Sequence, residues 1–371
     1  MKICTVRIER RLLRYRSPIP TAHGPVGDRW TVLLSLEDED GHTGLGEAAP
    51  LAGFTPDTVD DAEAALHRWA SDDSSEGLPD GSPTARAAVD SALLDLAARV
   101  AGTSVHRLLA PDSPDRLAVA ALATGATPDD VAASAAEAAA SGHVTIKVKV
   151  GVGGIDADLD RVAAVRERVG TDVRIRLDAN GAWSASEALR GLERLAVYDP
   201  EFVEEPVAGL EALAALRLTS PVSIAVDESA GSPKEVARAV SMGAADVVVL
   251  KPSALGGPSA SAEVAARVRD AGLNVVVTSL LEGSVGIRAA AHLASAIGAL
   301  DPLPGLATAG LLAEDIAAPC RPIGGMLYLG SDPLPTSPGR PGSNRPGDHR
   351  PPPHRGRPPI RGPPRRRSLS T

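Results

Sequence analysis

The middle of the chain alternates short apolar runs with longer stretches in which apolar residues recur at helical spacing. Helix start signals stand between the runs, for example Thr127 before Pro128 and Ser184 before Glu187. Strands that alternate with helices in this way form a parallel sheet through crossover connections. We therefore predict an α/β fold, a (β/α)7β TIM-like barrel over residues 116–330. Its runs begin near residues 117, 144, 173, 202, 223, 247 and 274, and 304–308 can supply an eighth strand.

The residues before the barrel follow a different pattern. Apolar and polar positions alternate over residues 2–16 and 30–37, and a tight DEDG turn leads into a third strand that begins near residue 42. Such short turns join antiparallel strands, since parallel strands need long crossovers. Thr55 followed by Pro56 predicts the start of a helix. Residues 1–115 are therefore predicted to form a small α+β domain.

The last residues, 331–371, are predicted to be a disordered Pro/Arg-rich tail because they contain almost nothing apolar. Nine Arg and one Asp give residues 335–371 a charge of +8, which leaves −17 for the rest of a chain whose net charge is −9. The alternatives are a basic arm that binds nucleic acid or an acidic partner, and a frame-shifted end.

Composition narrows the class of protein. Hydrophobic residues at 43% and charged residues at 23% are typical of soluble globular proteins, and aromatic residues at 2% leave few rings for stacking on bases. Nucleic acid is therefore not expected as a partner. No segment approaches the roughly 20 apolar residues of a membrane span, so a cytoplasmic protein without a membrane partner is predicted. Cys4 and Cys320 are expected to be reduced structural residues.

Five ionisable residues end five successive apolar runs of the barrel. They are separated by 29, 26, 23 and 24 positions, about one strand and one crossover helix each. In a closed parallel barrel all strand ends lie on one face, so these side chains should converge on one pocket. The residues are Lys149, Asp178, Glu204, Asp227 and Lys251.

The three carboxylates predict a metal site. Asp178, Glu204 and Asp227 cannot all remain ionised and close together without a cation, and an all-oxygen set suits Mg²⁺. The alternative is that they are solvated acids at strand ends.

The two lysines predict acid/base chemistry. Lys149 and Lys251 are expected on opposite sides of the barrel, where a neighbouring divalent cation should lower the pKa of a lysine toward neutrality. This permits removal of a proton next to a carboxylate, so a small-molecule carboxylate is the expected substrate. The alternative for Lys251 is a salt bridge to a barrel acid. Strand alternation also directs Lys147, Arg176 and Asn180 inward as candidates for substrate binding.

The motifs K-x-K, D-A-N-G-A-W, E-E-P, D-E-S and K-P-S-A-L-G-G, in this order, resemble the muconate lactonizing branch of the enolase superfamily over residues 5–325. The resemblance implies a capping domain on the barrel, Mg²⁺ on the three carboxylates, and acid/base roles for both lysines. It also implies that loops 21–27 and 50–55 close over the substrate. In this branch the last segment returns to the capping domain, whereas the Pro/Arg-rich tail predicts a less anchored cap here.

Within this branch, GEAAPLAGF, TSLLEGSVGI and GLATAGLLAEDI are most similar to the o-succinylbenzoate synthases. That similarity implies that Lys149 removes a proton and then, protonated, helps a hydroxyl leave as water, while Lys251 stabilises the enediolate. Arg176 matches an arginine typical of these synthases, and Asn180 matches a residue near the metal. Ser279, Ser284 and Gly305 are candidates for holding a succinyl carboxylate, or are turn and core residues.

Other activities remain open. An N-succinylamino acid racemase would use the same lysines and metal, but would return the proton on the opposite face. Residues 305–308 lack the Asp-x-Asp pair by which dipeptide epimerases of the branch bind an ammonium group, which argues against that activity. A different class is a binding protein on the same scaffold whose tail binds RNA. The oligomeric state is also open.

Overall fold

An antiparallel sheet and three helices form the N-terminal part of the protein. The computed structural model describes residues 2–19, 24–71 and 77–330, which all fall in one compact unit, Met1–Pro338. The domain boundary near residue 115 stays a prediction, and the predicted tail lies outside the described residues. The elements are β1 (Ile3–Tyr15), β2 (Arg29–Asp38), β3 (Thr43–Ala48), α1 (Val59–Ser71), α2 (Pro83–Val100) and α3 (Val105–Leu109).

Seven parallel strands of the remaining chain curl into a barrel with helices on its outer face, which confirms the predicted fold class. The strands pair in the order β11-β10-β9-β8-β7-β6-β5, and buried aliphatic side chains fill the space between sheet and helices. None of the helices in the described ranges is long and apolar enough to cross a membrane. The elements are β4 (Arg116–Ala118), β5 (Ala121–Ala123), α4 (Pro128–Ala140), β6 (Thr145–Lys149), α5 (Ile155–Val169), β7 (Arg174–Asp178), α6 (Ala185–Leu195), β8 (Pro200–Glu204), α7 (Leu210–Arg217), β9 (Ile224–Val226), α8 (Pro233–Met242), β10 (Val247–Leu250), α9 (Pro252–Leu255), α10 (Pro258–Asp270), β11 (Asn274–Val277), α11 (Ser284–Ala296), β12 (Leu312–Glu314) and β13 (Met326–Tyr328).

The eighth position of the barrel is closed by a short extended segment rather than by a full strand. Gly305 forms an isolated parallel bridge with Thr278, and the backbone of Pro304 accepts a hydrogen bond from Ala120 at 2.9 Å. The chain turns into a 3-10 helix at Thr308. The predicted segment 304–308 therefore links β11 to the chain just before β5 and completes the ring.

Reciprocal hydrogen bonds cap the N-termini of several helices. The predicted N-terminus of one helix is wrong. Thr127 and Ser184 cap α4 and α6 as the sequence predicts. Helix α1 does not begin at Thr55, because the hydroxyl of Thr55 bonds within its own loop. Thr58 caps α1 instead: its hydroxyl accepts from the backbone N–H of Asp61, whose carboxylate accepts from the backbone N–H of Thr58.

Two other predictions need correction. The run from residue 117 is not one strand, because β4 pairs with β13 in a separate two-stranded sheet and only β5 joins the barrel. The cap is also anchored by the chain that follows the barrel, since β12 pairs antiparallel with the end of β1. Long-range pairing decides both outcomes, and local sequence carries no signal of it.

Glu47 on β3 attaches the N-terminal sheet to the barrel. Its buried carboxylate accepts hydrogen bonds from the backbone N–H groups of Gly283 and Gly286, at the start of α11, at 2.8 and 3.0 Å. Burial raises the pKa of Glu47 to about 7, although those N–H groups oppose the rise; the nearby carboxylate of Glu282 adds to it. The N-terminus of α11 favours a negative charge, but here burial outweighs it, and the two hydrogen bonds connect β3 to α11.

We predict that Glu47 makes folding stability depend on pH. The folded chain holds a proton on Glu47 between pH about 4.5 and about 7, where the unfolded chain has lost it, so stability falls as pH rises through this window. The fall should be roughly 3 kcal/mol. Glu47→Gln should lack this part of the slope in denaturant unfolding from pH 5 to 8, and Glu193→Gln on the exposed face of α6 should retain it. Equal slopes in wild type and Glu47→Gln would contradict the assignment.

Candidate active site

The five residues that end the apolar runs lie together at the C-terminal face of the barrel. Strand register places Lys149 beside Asp178 and Asp178 beside Glu204. Asp227 and Lys251 directly follow β9 and β10. All five line one cavity that encloses about 890 Å³, including the part open to solvent. The convergence expected from a parallel barrel is therefore present, while the roles of these residues stay predictions.

The carboxylates of this cavity are in contact with lysines. Lys147 Nζ lies 2.7 Å from Asp178 Oδ2 and also contacts Glu204. Lys149 Nζ lies 2.9 Å from the same Asp178 oxygen, and Lys251 Nζ lies 2.7 Å from Asp227 Oδ1. The salt bridge considered for Lys251 from sequence is thus formed, and it coexists with a position on the cavity wall.

Burial and charge act in opposite directions on these groups. Burial alone would raise the pKa of Asp178, but the ammonium groups of Lys147 and Lys149 outweigh it and hold that pKa well below its usual range. Burial likewise opposes the charge of Lys147, yet the carboxylates raise its pKa well above the ordinary value. For Glu204, burial prevails over Lys147 and raises the pKa. The lowered lysine pKa expected beside a cation stays a prediction, and in Lys147 the carboxylates act the other way.

The donor set fits a hard divalent cation. Asp178, Glu204 and Asp227 offer buried carboxylate oxygens from three adjacent strands, which is the chemistry that Mg²⁺ prefers. Within the described ranges, Asp178 Oδ2 and Asp227 Oδ1 accept no hydrogen bond of regular geometry, although ammonium groups approach both. These oxygens are therefore available to a metal ion.

A second acidic group lies in the β2–β3 turn. Among the residues that the structure describes, Asp38, Asp40 and His42 are the one group of acidic, His or Cys side chains whose ligand atoms all lie within 4.8 Å of one another. The barrel carboxylates do not meet that distance, because Lys147 lies between Asp178 and Glu204. Hydrogen bonds from backbone N–H groups to Asp38 already explain the turn cluster.

The structure places five of the other six candidates on the cavity wall and one outside it. Arg176, Asn180, Ser279 and Gly305 line the cavity together with Lys147. Ser284 does not, because it begins α11 and its hydroxyl is fully buried between Asp315 and the backbone of Cys320. Its buried position matches the alternative considered from sequence, a turn or core residue, and not the role in substrate binding suggested by the similarity to the synthases.

Arg176 lies beneath the carboxylates, two residues before Asp178. Its Nε donates to Glu201 at 2.6 Å, and its guanidinium carbon lies 4.8 Å from the centre of the Phe202 ring. Its Nη2 is buried and has no hydrogen-bond partner among the described residues. Arg176 thus contributes a buried guanidinium, paired with Glu201, to the base of the cavity.

Sequence reasoning missed Glu228, which follows Asp227. Its carboxylate accepts a hydrogen bond from Asn180 at 2.7 Å and lines the cavity. Burial and the neighbouring charge of Asp227 raise the pKa of Glu228 to about 8. The D-E-S motif contains this residue, but period-two alternation from Asp227 would point its side chain away from the barrel interior. The chain turns into a 3-10 helix at Glu228, which redirects its side chain.

Strained backbone surrounds the same face. Asn180, Glu205 and Leu281 have φ angles of 46, 38 and 57° although none is glycine. Such left-handed residues cluster at functional sites, where the surrounding structure holds them. The first two lie just beyond the ends of β7 and β8, and Leu281 lines the cavity from the loop after β11.

Loops of the N-terminal sheet cover the cavity from above. Leu51 and Phe54, in the loop between β3 and α1, line it together with Ile19. The loop predicted over 50–55 therefore contributes to the wall, as the resemblance implies. Part of the loop predicted over 21–27, residues 21–23, lies outside the described residues.

Comparison with known proteins agrees with this architecture. The family model described as enolase C-terminal domain-like matches residues 130–341, and the N-terminal domain of the mandelate racemase / muconate lactonizing enzyme family matches residues 80–110. The barrel and the N-terminal domain thus match the two domains that define enzymes of the enolase type. The chain belongs to the enolase superfamily and, within it, to the muconate lactonizing enzyme branch.

Relatives with several activities match the chain. A hydrophobic dipeptide epimerase of Enterococcus faecalis is 32% identical over 80% of this chain and 88% of its own. An N-succinyl-L-Arg/Lys racemase of Bacillus cereus is 27% identical over 79% and 84%. An o-succinylbenzoate synthase of Mycobacterium bovis is 42% identical over 50% and 56%. A structure of dipeptide epimerase from E. faecalis, complexed with Mg and L-Leu-L-Tyr, has a TM-score of 0.83 at 27% identity over 89% of this chain and 98% of that one. Because these relatives catalyse different reactions, similarity alone does not identify the reaction of this chain.

We predict that Mg²⁺ binds the barrel carboxylates and stabilises the fold. Ligand binding to the folded chain should add about 2.7 kcal/mol at a Mg²⁺ concentration 100 times Kd, measured as a rise in Tm. Asp227→Asn should remove most of this rise because it removes one of three charged ligands. Asp38→Asn, in the turn cluster, should keep it. A Mg²⁺ response that disappears with Asp38→Asn and persists with Asp227→Asn would place the cation in the wrong site.

Proposed function

We propose that the protein is an o-succinylbenzoate synthase that dehydrates 2-succinyl-6-hydroxy-2,4-cyclohexadiene-1-carboxylate to 2-succinylbenzoate, a step of menaquinone biosynthesis. One observation supports it above the others: Lys149 and Lys251 line the same cavity from β6 and from the end of β10, with three strands between them. A substrate carboxylate held beside Asp178, Glu204 and Asp227 would therefore have an amine on each side of its α carbon.

The chain's own residues supply both proton transfers. Neutral Lys149 removes the proton from the carbon that bears the ring carboxylate, and its ammonium form then donates that proton to the departing 6-hydroxyl. One C–H and one C–O bond break, water leaves, and the ring becomes aromatic. Lys251, as an ammonium, stabilises the negative charge from the opposite face. A bound Mg²⁺ would supply electrostatic stabilisation of the charge that develops on the carboxylate.

The far wall of the cavity supports an anionic or neutral side group on the substrate. The acidic lining residues all lie at or just beyond the ends of β7, β8 and β9. On the wall formed by β11 and residues 305–308, the described lining residues are apolar or carry hydroxyls, such as Ser279 and Thr308, which bond each other at 2.7 Å. Among the described residues that wall offers no carboxylate for the ammonium group of a dipeptide, whereas hydroxyls such as those of Ser279 and Thr308 can donate to a succinyl carboxylate.

A racemase of N-succinylamino acids is the second candidate. Amines on both sides of the α carbon can remove a proton from one face and return it to the other, and the same wall would accept the succinyl group. The relative from B. cereus carries such a name. Purified protein with Mg²⁺ should be tested with the cyclohexadiene carboxylate, N-succinylamino acids and dipeptides. Racemisation without formation of 2-succinylbenzoate would overturn the synthase proposal.

We predict that Lys149→Ala lowers the dehydration rate by roughly 10²–10⁴-fold, as expected when a general base is removed. Circular dichroism and the Mg²⁺-dependent rise in Tm should persist. Lys234→Ala, on exposed α8, is the matched control and should retain wild-type turnover. Substantial turnover by Lys149→Ala would contradict the assignment of this residue as the base.

A further inference from the structure

The ring of Phe54 lies over the ammonium group of Lys251. Lys251 Nζ is 3.9 Å from the centre of the ring, within the range in which a cation is attracted to an aromatic face. The same nitrogen lies 2.7 Å from Asp227. The Lys251 side chain is 12% exposed, so little water competes with either contact.

Phe54 lies in the loop between β3 and α1 and does not belong to the barrel. It packs with Leu51 from its own loop and with Ala254 and Leu280 from the barrel. Ala254 lies three residues after Lys251, on the short helix α9. The aromatic contact therefore joins a cap loop to the strand end that presents one of the two amines.

Arg29 holds this cap loop against the barrel. Its guanidinium donates to the carbonyl of Pro50 at 2.7 Å, and to the carbonyls of Leu280 and Leu281 at 2.9 and 2.8 Å. The Tyr15 hydroxyl donates to the same Leu281 carbonyl, and Leu281 is one of the left-handed residues of the site. A planar guanidinium can bridge two chain segments in this way because its donors point in fixed directions.

We propose that Phe54 is a positioning residue whose ring, held in place by the Arg29 contacts, fixes the Lys251 ammonium on its side of the cavity. The inference rests on the proposed function, because it matters only if Lys251 acts on one face of a substrate. No comparable ring lies near Lys149 among the described residues, where Asn180 and Asp178 hold the amine instead. The two amines are thus positioned by different means, one by the cap and one by the barrel.

Nuclear magnetic resonance tests the contact without any turnover. The chain has five lysines, so the ε-methylene signals of a lysine-labelled protein can be assigned with Lys251→Arg. Ring current from Phe54 should move the Lys251 signal upfield in the wild type and in Phe54→Tyr. Phe54→Leu should return it to the position of an exposed lysine, and Arg29→Lys should shift it part of the way. A Lys251 signal that is the same in wild type and Phe54→Leu would overturn the inference.

Isotope exchange tests whether the contact with Phe54 affects proton removal by Lys251. In ²H₂O each enantiomer of an N-succinylamino acid presents its α hydrogen to one amine, which removes it in its neutral form. The enantiomer that still exchanges in Lys149→Ala is therefore the one whose α hydrogen faces Lys251. Phe54→Leu should slow exchange of that enantiomer by about tenfold, with much less effect on the other, and Phe54→Tyr should restore it. Equal slowing of both enantiomers at unchanged Tm would show a general packing role and overturn the inference. A wild type that neither exchanges nor dehydrates its substrate would instead overturn the proposed function, and the magnetic resonance test would still decide the contact.

Discussion

The structure depends on balancing several buried charges at the ends of five neighbouring strands. Asp178, Glu204 and Asp227 are almost fully buried, and each is in contact with at least one lysine. A buried carboxylate without a partner would cost several kcal/mol, so this set of acids cannot exist without cations. The same set provides the carboxylate oxygens that suit a divalent cation, and it includes two amines that line the cavity from strands on opposite sides.

Closure of the cavity depends on contacts that reach across the whole chain. Glu47 and Arg29, both on the N-terminal sheet, bond to the loop after β11 and to the start of α11, more than 230 residues later in sequence. These bonds go to backbone groups, which any residue could supply. They bring the loop that carries Phe54 over the barrel mouth, so the geometry of the reacting groups depends on the cap as well as on the barrel.

The sequence predicts the residues that recur at each strand end, and it misses contacts between segments that are far apart in the chain. Lys149, Asp178, Glu204 and Asp227 could be found because each follows one crossover unit and strand ends of a parallel barrel meet on one face. The resemblance indicated the loop that carries Phe54, but not the contact of its ring with Lys251, about 200 residues later. Arg29 had no signal at all, because it bonds to backbone carbonyls, two of them about 250 residues away. Thr58 replaced Thr55 as a helix cap because the loop before α1 uses the earlier hydroxyl itself. Ser284 was misplaced because motif similarity does not show that its hydroxyl is used by Asp315 and the backbone of Cys320.

The pairing of β12 with β1 bears on how the chain folds. Tyr15 and Leu312 are partners in that ladder, so almost the whole barrel must be synthesised before the fourth strand of the N-terminal sheet exists. Until β12 is made, β1 lacks its neighbour on that side, and closing so long a loop carries an entropic cost. The N-terminal sheet can therefore reach its full width only once the chain beyond the barrel has been made.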